Sequence, residues 1–112
     1  MISFEELTAF LQQDLEQKYC IEISFFVQGM PEYDFCWMGK MPDRTDNTKD
    51  CFWFGLVPDG SQAYDYDNLD DFLSAPVFEG RSLRQVWKDV RLDSVNGGEP
   101  ECWFPEKNSS QA

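Results

Sequence analysis

The 112-residue chain contains no histidine, the side chain most often used as general base, activator of a serine or cysteine nucleophile, and zinc ligand. Ser-His and Cys-His mechanisms are therefore excluded. Any chemistry falls to carboxylates, lysine, tyrosine and the four cysteines Cys20, Cys36, Cys51 and Cys102. Their separations of 16, 15 and 51 residues contain no C-x-x-C knuckle, and without histidine a zinc site would need all four thiols. Each cysteine lies in an apolar neighbourhood. Buried free thiols are expected, with Cys36 and Cys51 as neighbours across paired strands, and with no metal or cofactor.

The densest group of ionisable residues is Asp65-x-Asp67-x-x-Asp70-Asp71. It superficially suggests a calcium loop, but Leu69 stands where a third ligand belongs, the required glycine is missing and Glu79 is off register. Asp67 or Asn68 followed by acidic residues instead marks the start of a helix, whose N-terminal dipole favours negative charge. The acidic excess has a second implication. Residues 1–80 carry sixteen acidic and four basic side chains, residues 81–112 carry five of each, and the net charge is −12. A field of that sign repels nucleic acid and anionic lipid and attracts basic partners. Asp65, Asp67, Asp70 and Asp71, with the neighbouring Tyr64 and Tyr66, are the candidate binding residues.

Arg81, Arg84, Lys88 and Arg91 recur at steps of three and four, which on one continuous helix would form a cationic stripe. The expectation is that the stripe pairs with part of the acidic block between Asp50 and Glu79. Aromatic residues number eighteen. Tyr33, Trp37, Trp53, Tyr64, Tyr66 and Trp103 cannot all be buried with partners for their polar atoms, so some should reach the surface.

These groups must be positioned by a single domain of residues 1–105, of α+β class, followed by a disordered tail at 106–112. Ser3 and Glu6 have capping-box spacing, and Phe4, Leu7, Phe10, Leu11 and Leu15 give a helical stripe over 3–17. The alternation at 21–25 predicts a first strand, and 33–38 a second as its hairpin partner. Residues 42–50 form a polar loop. The apolar run 51–57 predicts a third strand, central and covered at least in part on both sides, with a short fourth strand at 62–66. Short helices follow at Leu69–Leu73, ended by Pro76, and from the capping box Ser82/Gln85 through Leu83, Val86, Trp87 and Val90. Residues 92–95 add an edge strand before the turn Asn96-Gly97-Gly98, and Cys102-Trp103-Phe104 anchors the end. The sum is a three- to five-stranded, mostly antiparallel sheet with an N-terminal helix and one or two further helices against it.

Three functions compete. The first is a non-catalytic domain of inhibitor, immunity or regulatory type that engages a basic protein and binds neither nucleic acid nor membrane. The second is a small-molecule or carboxylate-enzyme domain with a pocket lined by Trp37, Trp53, Tyr64 and Trp87 and a working carboxylate such as Asp34 or Asp50. The third is a self-associating subunit, whose sign would be an exposed aromatic sheet face. The acidic N-terminus lacks a basic segment and an apolar run, so a cytoplasmic location is expected.

Overall fold

Five strands hydrogen-bond in the order β4-β3-β2-β1-β5, every neighbouring pair antiparallel. They are β1 (Ile21–Val27), β2 (Cys36–Pro42), β3 (Asp50–Gly55), β4 (Ala63–Tyr66) and β5 (Val90–Val95) in a computed structural model. The helices are α1 (Phe4–Gln12), α2 (Leu69–Ser74), α3 (Leu83–Val86) and α4 (Pro100–Trp103). Two 3-10 turns, Pro31–Tyr33 and Trp87–Asp89, complete this single α+β domain. The structure describes residues 2–12, 20–46 and 48–104. No described helix is long and apolar enough to cross a membrane. Residues 13–17 of the helix expected over 3–17 and the tail at 106–112 lie outside the described residues.

Strand register sorts the side chains into two faces, because directly opposed residues project to the same side. One face carries Ile21, Ile23 and Phe25 of β1, opposite Lys40, Met38 and Cys36 of β2. It continues through Phe52 and Phe54 of β3 to Tyr66 and Tyr64 of β4. Every helix that buries a ring buries it on this side. Phe72 of α2 stacks on Phe54 with centroids 4.2 Å apart, and Phe78 meets Phe54 edge-on at 5.6 Å and Phe25 at 6.3 Å. Phe4 of α1 meets Trp87 at 5.7 Å, while Trp87 Nε1 donates to the Ile2 carbonyl.

Local chemistry fixes the helix ends. Ser3 and Glu6 exchange reciprocal backbone-to-side-chain hydrogen bonds of 2.9 and 3.0 Å, and Ser82 and Gln85 do the same at 2.8 and 3.3 Å. Each box satisfies N–H groups that the first turn leaves without partners. Lys40 is the charged group of the core face, 3% exposed. Its Nζ donates to the Leu11 carbonyl at 2.8 Å and lies 3.3 Å from Asp50 Oδ2. The ammonium thus meets a backbone carbonyl of α1 and ties that helix to β2.

The structure corrects several sequence expectations. The second strand starts at Cys36, because Pro31 opens a 3-10 turn that takes Tyr33 into the core. β3 has strands on both sides, but its outer face is only half covered. The helix after Ser82 stops at Val86, since Val90 is needed as the first residue of β5 against Val27. Lys88 consequently lies in a 3-10 turn and Arg91 in a strand, so no single helical stripe exists. Of the cysteines, only Cys36 is buried; Cys51 is half-buried, and Cys20 and Cys102 are exposed free thiols. Cys36 lies opposite Phe25 and Cys51 opposite Met41, at opposite ends of β2, so the two are not neighbours.

Two outcomes follow from this packing. Phe54→Ala removes the ring that stacks on Phe72 and meets Phe78 and Tyr66. Urea titration should show a loss of about 3–5 kcal/mol, whereas Ser82→Ala should lose about 0.5–2 kcal/mol. The second outcome concerns pH. Burial, with a smaller contribution from Asp34, pushes the Cys36 thiol up to about 12, so above its ordinary value the unfolded chain loses this proton before the folded one does. Stability from this group is present below that value and declines as pH rises toward 12. The urea midpoint should therefore fall between about pH 8.5 and 10.5 more steeply for the wild type than for Cys36→Ala.

Candidate binding surface

The opposite face of the sheet carries no helix among the described residues. Its side chains run in cross-strand rows set by the register: Ser94, Ser24, Trp37, Gly55 and Ala63 in one, and Glu22, Gly39, Trp53 and Asp65 in the next. Arg91 and Phe26 flank the first row and Met41 and Cys51 the second. Phe26 is 39% exposed and Phe35, just before β2, is 46% exposed, while Trp37 and Trp53 are half-buried. The Phe35 ring meets Trp37 edge-on at 5.6 Å. A run of aromatic side chains therefore crosses the strands on the uncovered side.

Glycine shapes this surface. A Cβ on Gly39 would strike the Ile21 carbonyl and stand 2.8 Å from Trp53 Cζ2, so the indole lies directly over the bare backbone of β2. Only glycine fits there. Carboxylates border the aromatic run: Glu22 and Asp65 end the second row, and Asp93 at the β5 bulge accepts from Ser24 Oγ at 3.2 Å. Arg91 stands opposite Phe26 in the register, and its guanidinium is turned back onto the carbonyls of Lys88 and Val90.

At the β2–β3 end, Asp43, Asp46, Asp50 and Asp67 gather with Thr45 and Lys49 around an open cleft of about 450 Å³. Hydrogen bonds from the Thr45 side chain and backbone hold Asp43 below the ordinary carboxylate value, and Thr48 does the same for Asp46. Both carboxylates are thus engaged in shaping their own turn. Among the described residues no group of three cysteine, aspartate or glutamate side chains is arranged to hold a metal ion.

The six candidate residues divide into three sets. Asp65 is exposed on the outer face, and Asp67 lies just beyond β4 on the rim of the acidic cleft. Tyr64 and Tyr66 project from the other face of the same strand. Tyr64 is 36% exposed, while Tyr66 packs against Phe54 and Phe72 at 6.2 Å. Asp70 and Asp71 occupy the first turn of α2, where Asn68 Oδ1 accepts from Asp71 N–H at 2.8 Å and Asn68 Nδ2 donates to Asp71 Oδ2 at 3.0 Å. Within the acidic block Asp71 is engaged by the Asn68 cap of α2, whereas Asp65 is open surface.

Other expectations fail on geometry. Trp37 and Trp53 are on the outer face, whereas Trp87 is packed beneath Phe4 on the other, so these residues and Tyr64 cannot line one pocket. Glu32, raised chiefly by a hydrogen bond with Glu79, is exposed and is not the desolvated carboxylate such an enzyme would need. Arg81 donates to Met30 Sδ and Arg84 lies 4.7 Å from the Phe4 ring. Among the described residues no ion pair joins these cations to the acidic block, whose Asp50 pairs with Lys40.

Sequence reasoning missed Phe26, Phe35 and Met41 as surface residues. The signal available was the run Phe25-Phe26-Val27, in which one phenylalanine of an alternating strand must face away from the core.

Separating the two uses of the acidic block gives a direct test. Asn68→Ala should cost about 1 kcal/mol through loss of the α2 cap, whereas Asp65→Asn and Asp67→Asn should each change the urea midpoint by less than about 0.5 kcal/mol equivalent. Comparison with protein-family models, with curated proteins and with solved structures finds no match to this chain.

Proposed function

We propose that this chain is a non-catalytic binding domain whose uncovered sheet face engages a basic protein surface. The observation that supports it is the outer face itself, where Trp37, Trp53, Phe26 and Phe35 remain partly or largely accessible and are bordered by Glu22, Asp65 and Asp93. Apolar burial against Trp and Phe supplies affinity, because large rings contribute most where a partner can exclude water from them. The carboxylates supply orientation and association rate. A basic partner is favoured over a second copy of this chain, since two copies would bring together two bodies of net charge −12.

The test uses immobilised wild type beside Trp37→Ser/Trp53→Ser and Asp65→Lys variants, with native lysate applied at about 0.05 and 0.3 M salt. Basic proteins retained by the wild type should be lost from the double tryptophan variant, an effect of roughly 30-fold or more in affinity. Retention by the wild type should also fall at the higher salt. Identical sets of retained proteins on all three columns, at either salt, would refute the proposal, and concentration-dependent dimerisation abolished by the tryptophan changes would replace it with self-association.

A further inference from the structure

The two free edges of the sheet are built differently. β5 is irregular: its register against β1 shifts between Ser24 and Phe25, leaving Asp93 as an extra residue, and α4 packs beside it. A bulge and a covering element are both ways of blocking an edge. β4 has neither. Its pairing with β3 is regular over all four residues, and no strand lies beyond it among the described residues.

The direction of its free backbone groups follows from one hydrogen bond. Leu56 N–H donates to the Gln62 carbonyl at 3.0 Å, which makes that opposed pair hydrogen-bonded. Antiparallel pairs alternate. Tyr64 and Tyr66 therefore bond to Phe54 and Phe52, whereas Ala63 and Asp65 turn their N–H and C=O groups away from β3. On side chains the same strand alternates in the other dimension. Asp65 is on the outer face beside Trp53, and Tyr64 and Tyr66 are on the helix side.

We infer that the free edge of β4 takes up an extended segment of the basic partner, with Lys or Arg opposite Asp65 and apolar residues alongside Tyr64 and Tyr66. This inference rests on the binding function proposed above. Backbone pairing to Ala63 and Asp65 supplies sequence-independent hydrogen bonds, and side-chain alternation supplies selectivity. The charge of Asp65 also opposes pairing of this edge with itself: antiparallel pairing of two β4 strands centred on this residue sets the two Asp65 Cβ atoms about 5 Å apart.

The probe is a synthetic peptide, acetyl-Arg-Val-Lys-Val-Arg-Val-amide, titrated into the isotope-labelled full chain and read by NMR shifts and amide exchange. A peptide with proline in place of the central Lys and a Glu-for-Arg/Lys version serve as controls. Exchange of the Ala63 and Asp65 amides should slow by about tenfold or more with the basic peptide and stay unchanged with either control. Asp65→Lys, with its spectrum otherwise preserved, should weaken the basic peptide by about tenfold or more and admit the acidic one. Shifts at Trp37 and Trp53 without protection of Ala63 and Asp65 would overturn the edge inference while leaving the binding function standing. Equal protection by the proline control would also overturn the inference, as would protection that grows with protein concentration alone. A chain that captures basic proteins through Trp37 and Trp53 yet shows no response to the peptide would likewise count against the edge and not against the face.

Discussion

The ring stack of Phe54 on Phe72, 4.2 Å between centroids, is the contact from which the architecture follows. Phe54 sits in a strand with neighbours on both sides, and its ring is surrounded by Tyr66, Phe72 and Phe78. Phe78 in turn meets Phe25 and Tyr33, so one chain of rings joins β4, α2, the loop before α3, and β1. Aromatic residues bury large areas in few positions, which lets a domain of this size form one continuous core on one side of its sheet. Short helices suffice to cover that side. The consequence is that every described helix goes to one face, and among the described residues none covers the other.

Lys40 is the polar counterpart of the ring chain. A buried ammonium is tolerated only where hydrogen bonds and an opposite charge replace its water, and here it meets the Leu11 carbonyl and Asp50. Asp50 is half exposed, so this pair spans the boundary between core and acidic surface. It also holds α1 over the strand where Gly39 and Trp53 shape the outer face. The two faces are therefore mechanically linked through β2, one residue apart.

The charge distribution has a physical logic under the proposed function. An uncovered aromatic face promotes nonspecific association, and a strong net charge opposes it. A partner with complementary charge escapes that opposition. Under that reading the carboxylates that oppose self-association would also select what is admitted, both across the face and along β4.

Much of the fold was legible in the sequence because it is encoded locally. The capping boxes at Ser3/Glu6 and Ser82/Gln85, the alternation at Ile21, Ile23 and Phe25, and the turn Asn96-Gly97-Gly98 involve residues within a few positions of one another. The absence of histidine and the acidic excess are likewise properties of composition. Tertiary structure decided what depends on distant partners: that Val90 joins β5 against Val27 in place of extending a helix, that Cys36 and Cys51 stand apart, and that Trp37 and Trp53 share the outer face while Trp87 is buried behind the other. Periodicity tells which residues lie together on one side of a strand, but it does not tell which side the helices will cover. That is settled only when the ring of Phe54 finds Phe72 across a turn and strand β4, which turns Phe26, Trp37, Trp53 and Asp65 toward the opposite side.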